Sequence, residues 1–438
     1  MSDTAFPSFT EAFKVWLRIG CLSFGGPAGQ IALMHREVVD QRRWVSDERF
    51  LHALNFCTLL PGPEAQQLAT YLGWLMHGVK GGVAAGLLFV LPGALVMLGL
   101  SAIYVAFGEV PFVSALFFGL KAAVLVLVVE ALLRVANRAL QGVLPWAVAG
   151  LAFAALFLLQ LPFPVVVLAA AAAGYALPTA FVSTGHGRAK EGPPALLDAL
   201  LARDPGRIAR LTAGARRAGL VALVLWLWPV VLLMDAGGVF GDIAWFFSKM
   251  AVVTFGGAYA VLAYVTQEAV EHYHWVTPGQ MLTGLGLAET TPGPLILVLQ
   301  FVGFLAAWPL GWGAAVAGAA LTVWVTFMPC FAWIFLGAPY VEKLHNAPRL
   351  KGALAGVTAA VVGVIGNLAL WFGLRVLFTD MAPGPLGLNW PAPASLDIAA
   401  LLLTLLAALC LFRLKLGVVK TLAVAALAGL VLKLALGT

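Results

Sequence analysis

Long apolar runs separated by short polar stretches dominate the chain, and several runs reach the roughly 20 residues that a membrane-spanning helix needs. Apolar and polar positions do not alternate strictly within these runs, so the pattern predicts helices and not the strands of a β-barrel. A polar, acidic stretch precedes the first run, where a cleavable signal peptide would be basic and then apolar. The pattern predicts an all-α polytopic membrane protein whose first apolar segments direct its insertion.

Glycine and proline interrupt four of the apolar segments. Two interruptions are the PGP motifs Pro61-Gly62-Pro63 and Pro292-Gly293-Pro294, and two are the FGG motifs that begin at Phe24 and at Phe255. Backbone that leaves the helical path at membrane depth is tolerated only when it is buried in protein or lines a polar cavity. We therefore predict broken or re-entrant helices at these motifs, with a shared functional purpose.

The four interruptions are related by one shift along the chain. A shift of 231 residues carries Pro61 to Pro292 and Phe24 to Phe255, and it also carries the acid Glu37 to Glu268. Helix breakers and charged residues rarely match together by chance, so we interpret the chain as two related halves. The predicted boundaries are a first repeat at 1–182, a basic linker at 183–217, a connecting helix at 218–236 and a second repeat at 237–438.

The connecting helix has no counterpart in either half, and one additional crossing would turn the second half upside down. The sequence thus predicts inverted-topology repeats. The linker carries seven Lys or Arg against three acids, which predicts that it lies in the cytoplasm together with the N-terminus.

One loop conflicts with a simple count of crossings. If 10–33 and 49–76 each cross once, the loop that contains Arg36, Arg42 and Arg43 lies outside, against the preference of basic residues for the cytoplasm. If each segment is instead a re-entrant hairpin with its FGG or PGP motif at the tip, the loop becomes cytoplasmic. We favour the hairpins, and a tilted, broken single span remains the alternative.

Composition agrees with the membrane interpretation and excludes other classes. Of the 438 residues, 62% are hydrophobic and 11% are charged, against about 25% charged residues in a soluble domain. The net charge of +6 is expected to orient the chain in the lipid bilayer and does not indicate a nucleic-acid partner. The four cysteines are dispersed, and the sequence predicts no disulfide, no metal site, no cofactor and no enzymatic activity.

The broken helices indicate anion binding, because the N-terminus of a helix carries a partial positive charge and free N–H groups. One helix end contributes only about 0.3 to 2 kcal/mol, whereas an unpaired ion loses tens of kcal/mol of solvation on burial. Basic side chains are therefore needed, and the candidates are Arg18, its equivalent Lys249, and Lys121. The alternative is that Arg18 and Lys249 extend to the membrane surface.

The predicted substrate-binding residues combine these motifs and cations. They are Arg18, Ser23, Phe24, Gly25, Gly26, Pro27, Pro61, Gly62, Pro63, Gln66, Lys121, Lys249, Thr254, Gly256, Gly257, Thr291, Pro292, Gly293 and Pro294. Four acids, Glu37, Glu64, Glu268 and Glu289, are predicted either to couple transport to protons or to serve structure. Ser46 and Thr277 are predicted N-caps.

The ordered motifs resemble a known family. "SFGGPAGQIALMHREVV" at 23–39, "LLPGP" at 59–63 and "LPGALV" at 91–96, followed by "TFGGAYAVL" at 254–262 and "TPGP" at 291–294, are similar to the chromate ion transporter family in its long two-domain form. The resemblance covers nearly the whole chain. One departure is Ala258, which stands where the first half has Pro27.

The resemblance implies a multi-pass protein of the bacterial inner membrane that exports chromate as a secondary carrier, with sulfate as a related oxyanion. It also implies thirteen hydrophobic segments in halves of opposite orientation. We expect a proton gradient, the membrane potential or both to drive transport. A sulfate or other oxyanion permease or channel remains an alternative, as does a membrane-embedded enzyme or scaffold, and a homodimer is left open.

Overall fold

The computed structural model describes residues 6–181, 195–204, 206–253, 255, 258–337, 348–384 and 389–436. Within these residues the chain is helical apart from connecting turns and one short hairpin, in which strand β1 (Met381–Pro383) pairs antiparallel with β2 (Asn389–Pro391). Much of the central linker and residues 254, 256 and 257 lie outside the described ranges.

The first half begins with short helices and continues with longer ones. Its α-helices are α1 (Phe9–Leu22), α2 (Gly26–His35), α3 (Asp47–Cys57), α4 (Glu64–Phe107), α5 (Pro111–Ala139), α6 (Val143–Phe157), α7 (Phe163–Ala176) and α8 (Pro178–Phe181). A π-helix, Arg36–Gln41, follows α2.

The linker supplies α9 (Leu196–Arg203) and the start of α10 (Arg207–Ala236). The second half contains α11 (Gly238–Val253), α12 (Ala258–Gln267), α13 (Pro278–Thr290), α14 (Val298–Ala307), α15 (Trp312–Gly337), α16 (Pro348–Leu377), α17 (Ile398–Ala408) and α18 (Val418–Leu436). π-Helices follow α12 and α17, and 3-10 turns lie at Leu295–Leu297, Trp308–Leu310 and Pro393–Ser395.

Six of the described helices are long and apolar enough to cross a membrane: α4, α5, α10, α15, α16 and α18. Four shorter apolar helices accompany them. The prediction of an all-α polytopic membrane protein is therefore confirmed.

The helices form two compact units, and each unit takes segments from both halves of the sequence. The first unit contains Met1–Leu98, Thr184–Ala258 and Thr291–Ala347. The second contains Gly99–Ser183, Tyr259–Thr290 and Pro348–Thr438.

Small residues bring helices into close contact within each unit, as is usual for helices packed in membranes. In the first unit, Gly20 of α1 lies against the backbone of Leu88 in α4, and Gly219 of α10 lies against Leu336 of α15. In the second unit, α16 packs on α5, α6 and α7, and its Gly352 faces the backbone of Gly174.

The helical segments next to the FGG and PGP motifs of the first half are short, up to the bend in α4. α1 has 14 residues, α2 has 10 and α3 has 11, and each is about 15 to 21 Å long at 1.5 Å per residue. α4 is bent at His77 and Gly78, which have non-helical dihedral angles, so its first section ends near Met76. None of these helical pieces alone matches a hydrocarbon core of about 30 Å.

The linker contacts the ends of these short segments within the first unit. Arg49 at the start of α3 forms an ion pair with Asp198 of α9 at 2.7 Å, and Leu196 donates to the carbonyl of Arg43 at 3.1 Å. Further along, the guanidinium of Arg207 donates to the carbonyl of Met76 at 2.8 Å. The beginning of α3 and the end of the first section of α4 therefore contact the same linker.

The two halves have a similar order of elements where the sequences align. Glu37 lies in the π-helix after α2, and its equivalent Glu268 begins the π-helix after α12. The predicted N-caps are confirmed, because Ser46 accepts from the N–H of Arg49 and Thr277 accepts from that of Gln280 at 3.2 Å.

Candidate functional site

A small pocket in the first unit collects residues from all four interrupted segments. Its lining is Pro27, Gln30, Gly62, Pro63, Glu64, Ala65, Ala258, Pro294, Leu295 and Ile296. Pro27 and Ala258 lie just after the two FGG motifs, and the other residues except Gln30 lie in or just after the two PGP motifs. Segments more than 200 residues apart thus meet at one place.

Most of the lining consists of positions that the shift of 231 residues relates. Four equivalent pairs face the pocket, namely Pro27 with Ala258, Pro63 with Pro294, Glu64 with Leu295, and Ala65 with Ile296. The two halves therefore contribute corresponding backbone to the pocket, but the side chains differ in polarity.

Hydrogen bonds connect the first FGG motif to the second PGP motif. The N–H of Gly293 donates to the carbonyl of Ser23 at 2.8 Å, and the Gln30 amide donates to the carbonyl of Gly293 at 2.6 Å. Gly293 has φ +88°, a left-handed conformation that glycine adopts without strain. Both polar backbone groups of this glycine are thereby satisfied away from water.

The first PGP motif is held by a second set of contacts. Gly62 has φ +109°, and a Cβ at this position would lie 2.9 Å from the Cys330 sulfur and 3.1 Å from the Gln67 amide nitrogen. That amide donates to the carbonyl of Pro61 at 2.6 Å. The turn at Gly62 requires glycine for two reasons. The dihedral angle is strained for other residues, and Cys330 of α15 leaves no room for a side chain.

Two helices begin at the pocket. α4 begins at Glu64 directly after Pro63, and the 3-10 turn that leads into α14 begins at Leu295 directly after Pro294. The first residues of a helix have N–H groups without intrahelical partners and carry partial positive charge. Two such helix ends in one pocket form an arrangement suited to an anion.

The pocket lining carries little charge of its own. Glu64 is its one charged side chain, and no Lys or Arg occurs among its described lining residues. Two unit charges 4 Å apart repel by about 4 kcal/mol at an effective dielectric constant of 20, so an ionised Glu64 opposes an anion here. The volume open to the centre of a water molecule is about 20 Å³, roughly the space for one water, so the pocket has no room for a tetrahedral oxyanion in this conformation.

The three predicted cations do not line the pocket. Arg18 is exposed, with its guanidinium 3.6 Å from the Glu37 carboxylate, and Lys249 is also exposed. Lys121 belongs to the second unit, where its Nζ lies 3.3 Å from a Cβ built at Gly279.

The four predicted acids have different surroundings. Glu37 is buried and forms an ion pair with Arg42 at 2.5 Å, and Glu268 is half-buried. Glu289 lies in the second unit, is buried, and accepts a hydrogen bond from Tyr259 at 2.7 Å. Glu64 alone among the four lines the pocket.

The remaining predicted residues lie in or beside the motifs. Ser23 is buried and donates to the carbonyl of Ile19, while Phe24 is exposed. Gly25 and Gly26 have positive φ at the start of α2, and the Gln66 amide donates to Thr70 within α4.

Thr291 and Pro292 are buried, and Gly93 of α4 lies against the carbonyl of Pro292. Thr254, Gly256 and Gly257 lie outside the described residues.

Gln30, Ala65, Ala258, Leu295 and Ile296 line the pocket but were not predicted site residues, and Gln30 is the polar residue among them. It is 1% exposed and lies four residues after Gly26 in α2, on the same face of the helix. A single amide on that face of an otherwise apolar helix is the feature of the sequence from which Gln30 could have been predicted. Cys330 was also missed, because nothing in the sequence relates it to Gly62. No group of three potential metal ligands occurs in the described part of the chain.

Comparisons with known proteins identify relatives of the chain. The sequence profile described as Chromate transporter matches residues 10–175 and 241–430. The chain is 35% identical to the chromate transport protein of Pseudomonas aeruginosa over 82% of its own length and 80% of the relative's. It is 28% identical to the chromate transport protein of Cupriavidus metallidurans over 84% of each chain.

An uncharacterized transporter of Methanocaldococcus jannaschii is 24% identical over 84% of the chain and 86% of its own length. No solved structure matches the chain.

Proposed function

The chain belongs to the chromate transporter family, and on that premise we propose that it is a secondary carrier that exports chromate across the bacterial inner membrane. The chain would bind chromate, a tetrahedral oxyanion, in the pocket formed by the FGG and PGP motifs. The single observation that carries this proposal is that two helices, one from each half, begin at the same pocket.

A transporter uses such helix ends because they bind an anion without binding it too tightly. Each end contributes about 0.3 to 2 kcal/mol, which does not offset the tens of kcal/mol of solvation that an unpaired ion loses on burial, so an open state of the carrier must also bring a basic side chain or water to the oxyanion. Inverted-repeat carriers place interrupted helices near the membrane midplane for this purpose. The closed pocket must open toward one side of the membrane before an oxyanion can enter.

Several observations support a pair of related repeats as the framework. The family profile matches two regions whose starts differ by 231 residues, since 241 − 10 = 231, the same shift that relates the motifs. The four equivalent pairs in the pocket lining agree with that relationship. The opposite orientation of the halves, and the cytoplasmic location of the N-terminus and linker, are parts of the proposal.

Re-entrant hairpins are the topology that we propose for 10–33 and 49–76. The segment 49–76 contacts the linker at both ends, through Asp198 and through Arg207. These linker residues are nine positions apart, and most of the chain between them is helical, so they are separated by less than about 30 Å. A hairpin with both ends on the cytoplasmic side satisfies these contacts without tilt or distortion.

Cysteine labelling tests the hairpins. In a background with the exposed Cys21 replaced by serine, we expect an impermeant maleimide to label Gln41→Cys only from the cytoplasmic side. Ala382→Cys, in the loop that contains β1, should be labelled only from the outside and serves as the matched control. Labelling of both positions from the outside would contradict the hairpins.

The membrane potential favours outward movement of an anion by about 2.3 kcal/mol per charge per 100 mV. Transport is tested by uptake of labelled chromate into inverted vesicles, with a potential and a pH gradient imposed separately. We expect saturable uptake, and no saturable uptake under either gradient would overturn the carrier. Sulfate tested in parallel decides whether it is a second cargo.

A homodimeric assembly stays a prediction, which the mass of the purified protein in detergent tests.

A further inference from the structure

A second cavity in the first unit lies where α1 and α10 begin and where α4 bends. The volume open to the centre of a water molecule is about 650 Å³, against about 20 Å³ for the pocket between the motifs. Its lining residues are Phe6, Pro7, Ser8, Phe9, Met76, His77, Gly78, Lys80, Arg207 and Leu211. None of these described residues lines the first pocket, so the cavity is a separate feature of the unit.

The charge of the cavity lining is positive. Lys80 and Arg207 are its two cations, and no acid occurs among the described lining residues. The acid in the first turn of α1 is Glu11, two residues after Phe9 and so about 200° around the helix from it. A ligand in the cavity therefore meets positive charge that the lining itself does not neutralise.

Arg207 is held in place by neutral groups. Its Nη2 donates to the carbonyl of Met76 at 2.8 Å, and its guanidinium carbon lies 5.9 Å from the centre of the Phe6 ring. Asp204, the acid just before α10, forms an ion pair with Arg210. The Nε of Arg207 is buried and has no hydrogen-bond partner among the described residues. The guanidinium thus retains donors, and its planar fork matches the oxygens of a phosphate group.

Two helix ends add to the positive potential of the cavity. α1 begins at Phe9 after the N-cap Ser8, and α10 begins at Arg207 with no side-chain cap. All three residues line the cavity. The N-terminus of a helix carries partial positive charge and N–H groups without intrahelical partners. The helix ends and the two cations therefore attract an anionic group to the same place.

An apolar surface, the α1 stripe, leads away from the cavity. Its residues Phe9, Phe13 and Leu17 are exposed, and because they follow one another at intervals of four they lie on one face of the helix. Phe9 belongs both to the cavity and to the stripe. An inorganic anion gains nothing from an apolar surface, whereas a phospholipid joins a phosphate group to acyl chains.

We propose that the cavity binds the phosphate group of an anionic phospholipid, with one acyl chain of that lipid against the α1 stripe. A headgroup with net negative charge fits better than a zwitterionic one, because no described lining residue is an acid that could pair with an ammonium group.

The place of the cavity along the helices agrees with a lipid ligand. α10 is one of the helices long enough to cross a membrane, and basic pockets between such helices bind anionic headgroups at the cytoplasmic surface. On the proposed topology the cavity faces that surface. The inference goes beyond the carrier function, since it does not depend on the cargo.

Native mass spectrometry of the full chain in detergent tests the site. Dioleoyl phosphatidylglycerol is the anionic probe, and dioleoyl phosphatidylcholine has the same acyl chains with a zwitterionic headgroup. We expect the wild-type chain to bind phosphatidylglycerol more tightly by about fivefold for each cation, or about 25-fold for both. Equal affinity for the two lipids would overturn the proposal.

Arg207→Gln and Lys80→Gln remove the two cations one at a time. Each should weaken phosphatidylglycerol binding by about fivefold and leave phosphatidylcholine binding unchanged. The matched control is Arg216→Gln, because Arg216 is exposed and lies nine residues after Arg207, on the opposite face of α10. Equal losses in all three variants would show attraction to net charge alone and would overturn the site.

Gel filtration checks that each variant is folded. Arg207→Gln loses the hydrogen bond to Met76, and if it is misfolded, Lys80→Gln decides. Lys80 is exposed and has no hydrogen bond or ion pair with a described residue. Undiminished phosphatidylglycerol binding in folded Lys80→Gln overturns the proposal.

Phe13→Ser tests the position of the acyl chain. We expect it to weaken phosphatidylglycerol binding by about threefold to fivefold, because it removes apolar contact area. Phe112→Ser, at an exposed phenylalanine of the second unit, is the control and should bind as the wild-type chain does. Equal binding by the two variants overturns the placement of the acyl chain on the α1 stripe.

Inorganic phosphate distinguishes a lipid headgroup from a free oxyanion. We expect calorimetry to detect no binding of inorganic phosphate to the wild-type chain at concentrations at which phosphatidylglycerol saturates it. If inorganic phosphate binds as tightly as phosphatidylglycerol and loses affinity in Lys80→Gln, the cavity takes a free oxyanion and the assignment to a lipid is overturned.

Discussion

The segments that follow the two PGP motifs occupy equivalent positions in one pocket, but the first is polar and the second is apolar. After Pro63 the chain continues with Glu64, Ala65 and two glutamines, whereas after Pro294 it continues with Leu295 and Ile296. The backbone of each half supplies a helix end, and the polar side chains of the pocket lining come from the first half. The difference indicates that the two halves have kept equivalent backbone at the pocket while their side chains have diverged in polarity.

The same asymmetry extends to the π-helices. Glu37 of the first half is buried between Arg42 and Arg18, whereas the second half has Glu268, Tyr273 and Lys249 at the equivalent positions. Among the described residues Glu268 forms no ion pair. Four pairs of substitutions test the comparison.

The largest effect is expected at the two PGP glycines. Gly62→Ala should lower the free energy of unfolding by at least about 1 to 3 kcal/mol, because it forces a side chain into a left-handed conformation and toward the Cys330 sulfur. Gly293→Ala should cost less, since the nearest atom to its Cβ is 3.3 Å away. Denaturant titration in detergent measures both. Gly99→Ala, which meets no neighbour, is the control, and equal effects at all three positions would contradict the role of the turn at Gly62.

Glu37→Gln should have the next largest effect. It removes a buried carboxylate from Arg42 and costs about 1.5 to 3 kcal/mol, whereas Glu268→Gln should cost less than about 0.5 kcal/mol. The same titration measures the difference. If the two substitutions lower the free energy of unfolding by the same amount, the ion pair of Glu37 does not distinguish the halves.

Gln30→Val gives the first half the residue that the second half has at Val261. It leaves the carbonyl of Gly293 without its side-chain donor, and we expect a loss of about 1 kcal/mol in stability together with weaker chromate uptake. Gln280→Val, at an amide near the start of α13, is the control for chromate uptake. Normal uptake by Gln30→Val would show that the connection between the motifs is dispensable.

The smallest effect is expected for the two exposed cations. Arg18→Gln should lower stability by less than about 1 kcal/mol, because its ion pair with Glu37 is open to solvent on one side, and Lys249→Gln should be similar. Chromate uptake tests the separate hypothesis from the sequence that these cations bind substrate. Loss of uptake in both folded variants would support that hypothesis and require a second, open conformation of the pocket.

The sequence by itself determined the class of the protein and the positions of its interruptions. Apolar runs of sufficient length must form membrane helices, and the clustered proline and glycine of the FGG and PGP motifs break them, because both effects depend on local residues. Isolated prolines such as Pro92 and Pro329 remain inside helices. The repeat shift is likewise a property of the sequence. Five of the ten pocket-lining residues, Pro27, Gly62, Pro63, Glu64 and Pro294, were among the residues predicted from the motifs.

Only the tertiary structure decided which of these residues meet. It joined Ser23 and Gln30 to Gly293, placed Cys330 beside Gly62, and left Arg18 exposed and outside the pocket lining. These contacts join residues far apart in the chain, and they depend on how helices approach one another at small residues. Local pattern carries no information about such distances, because the free energy that selects them arises from packing and from hydrogen bonds between segments.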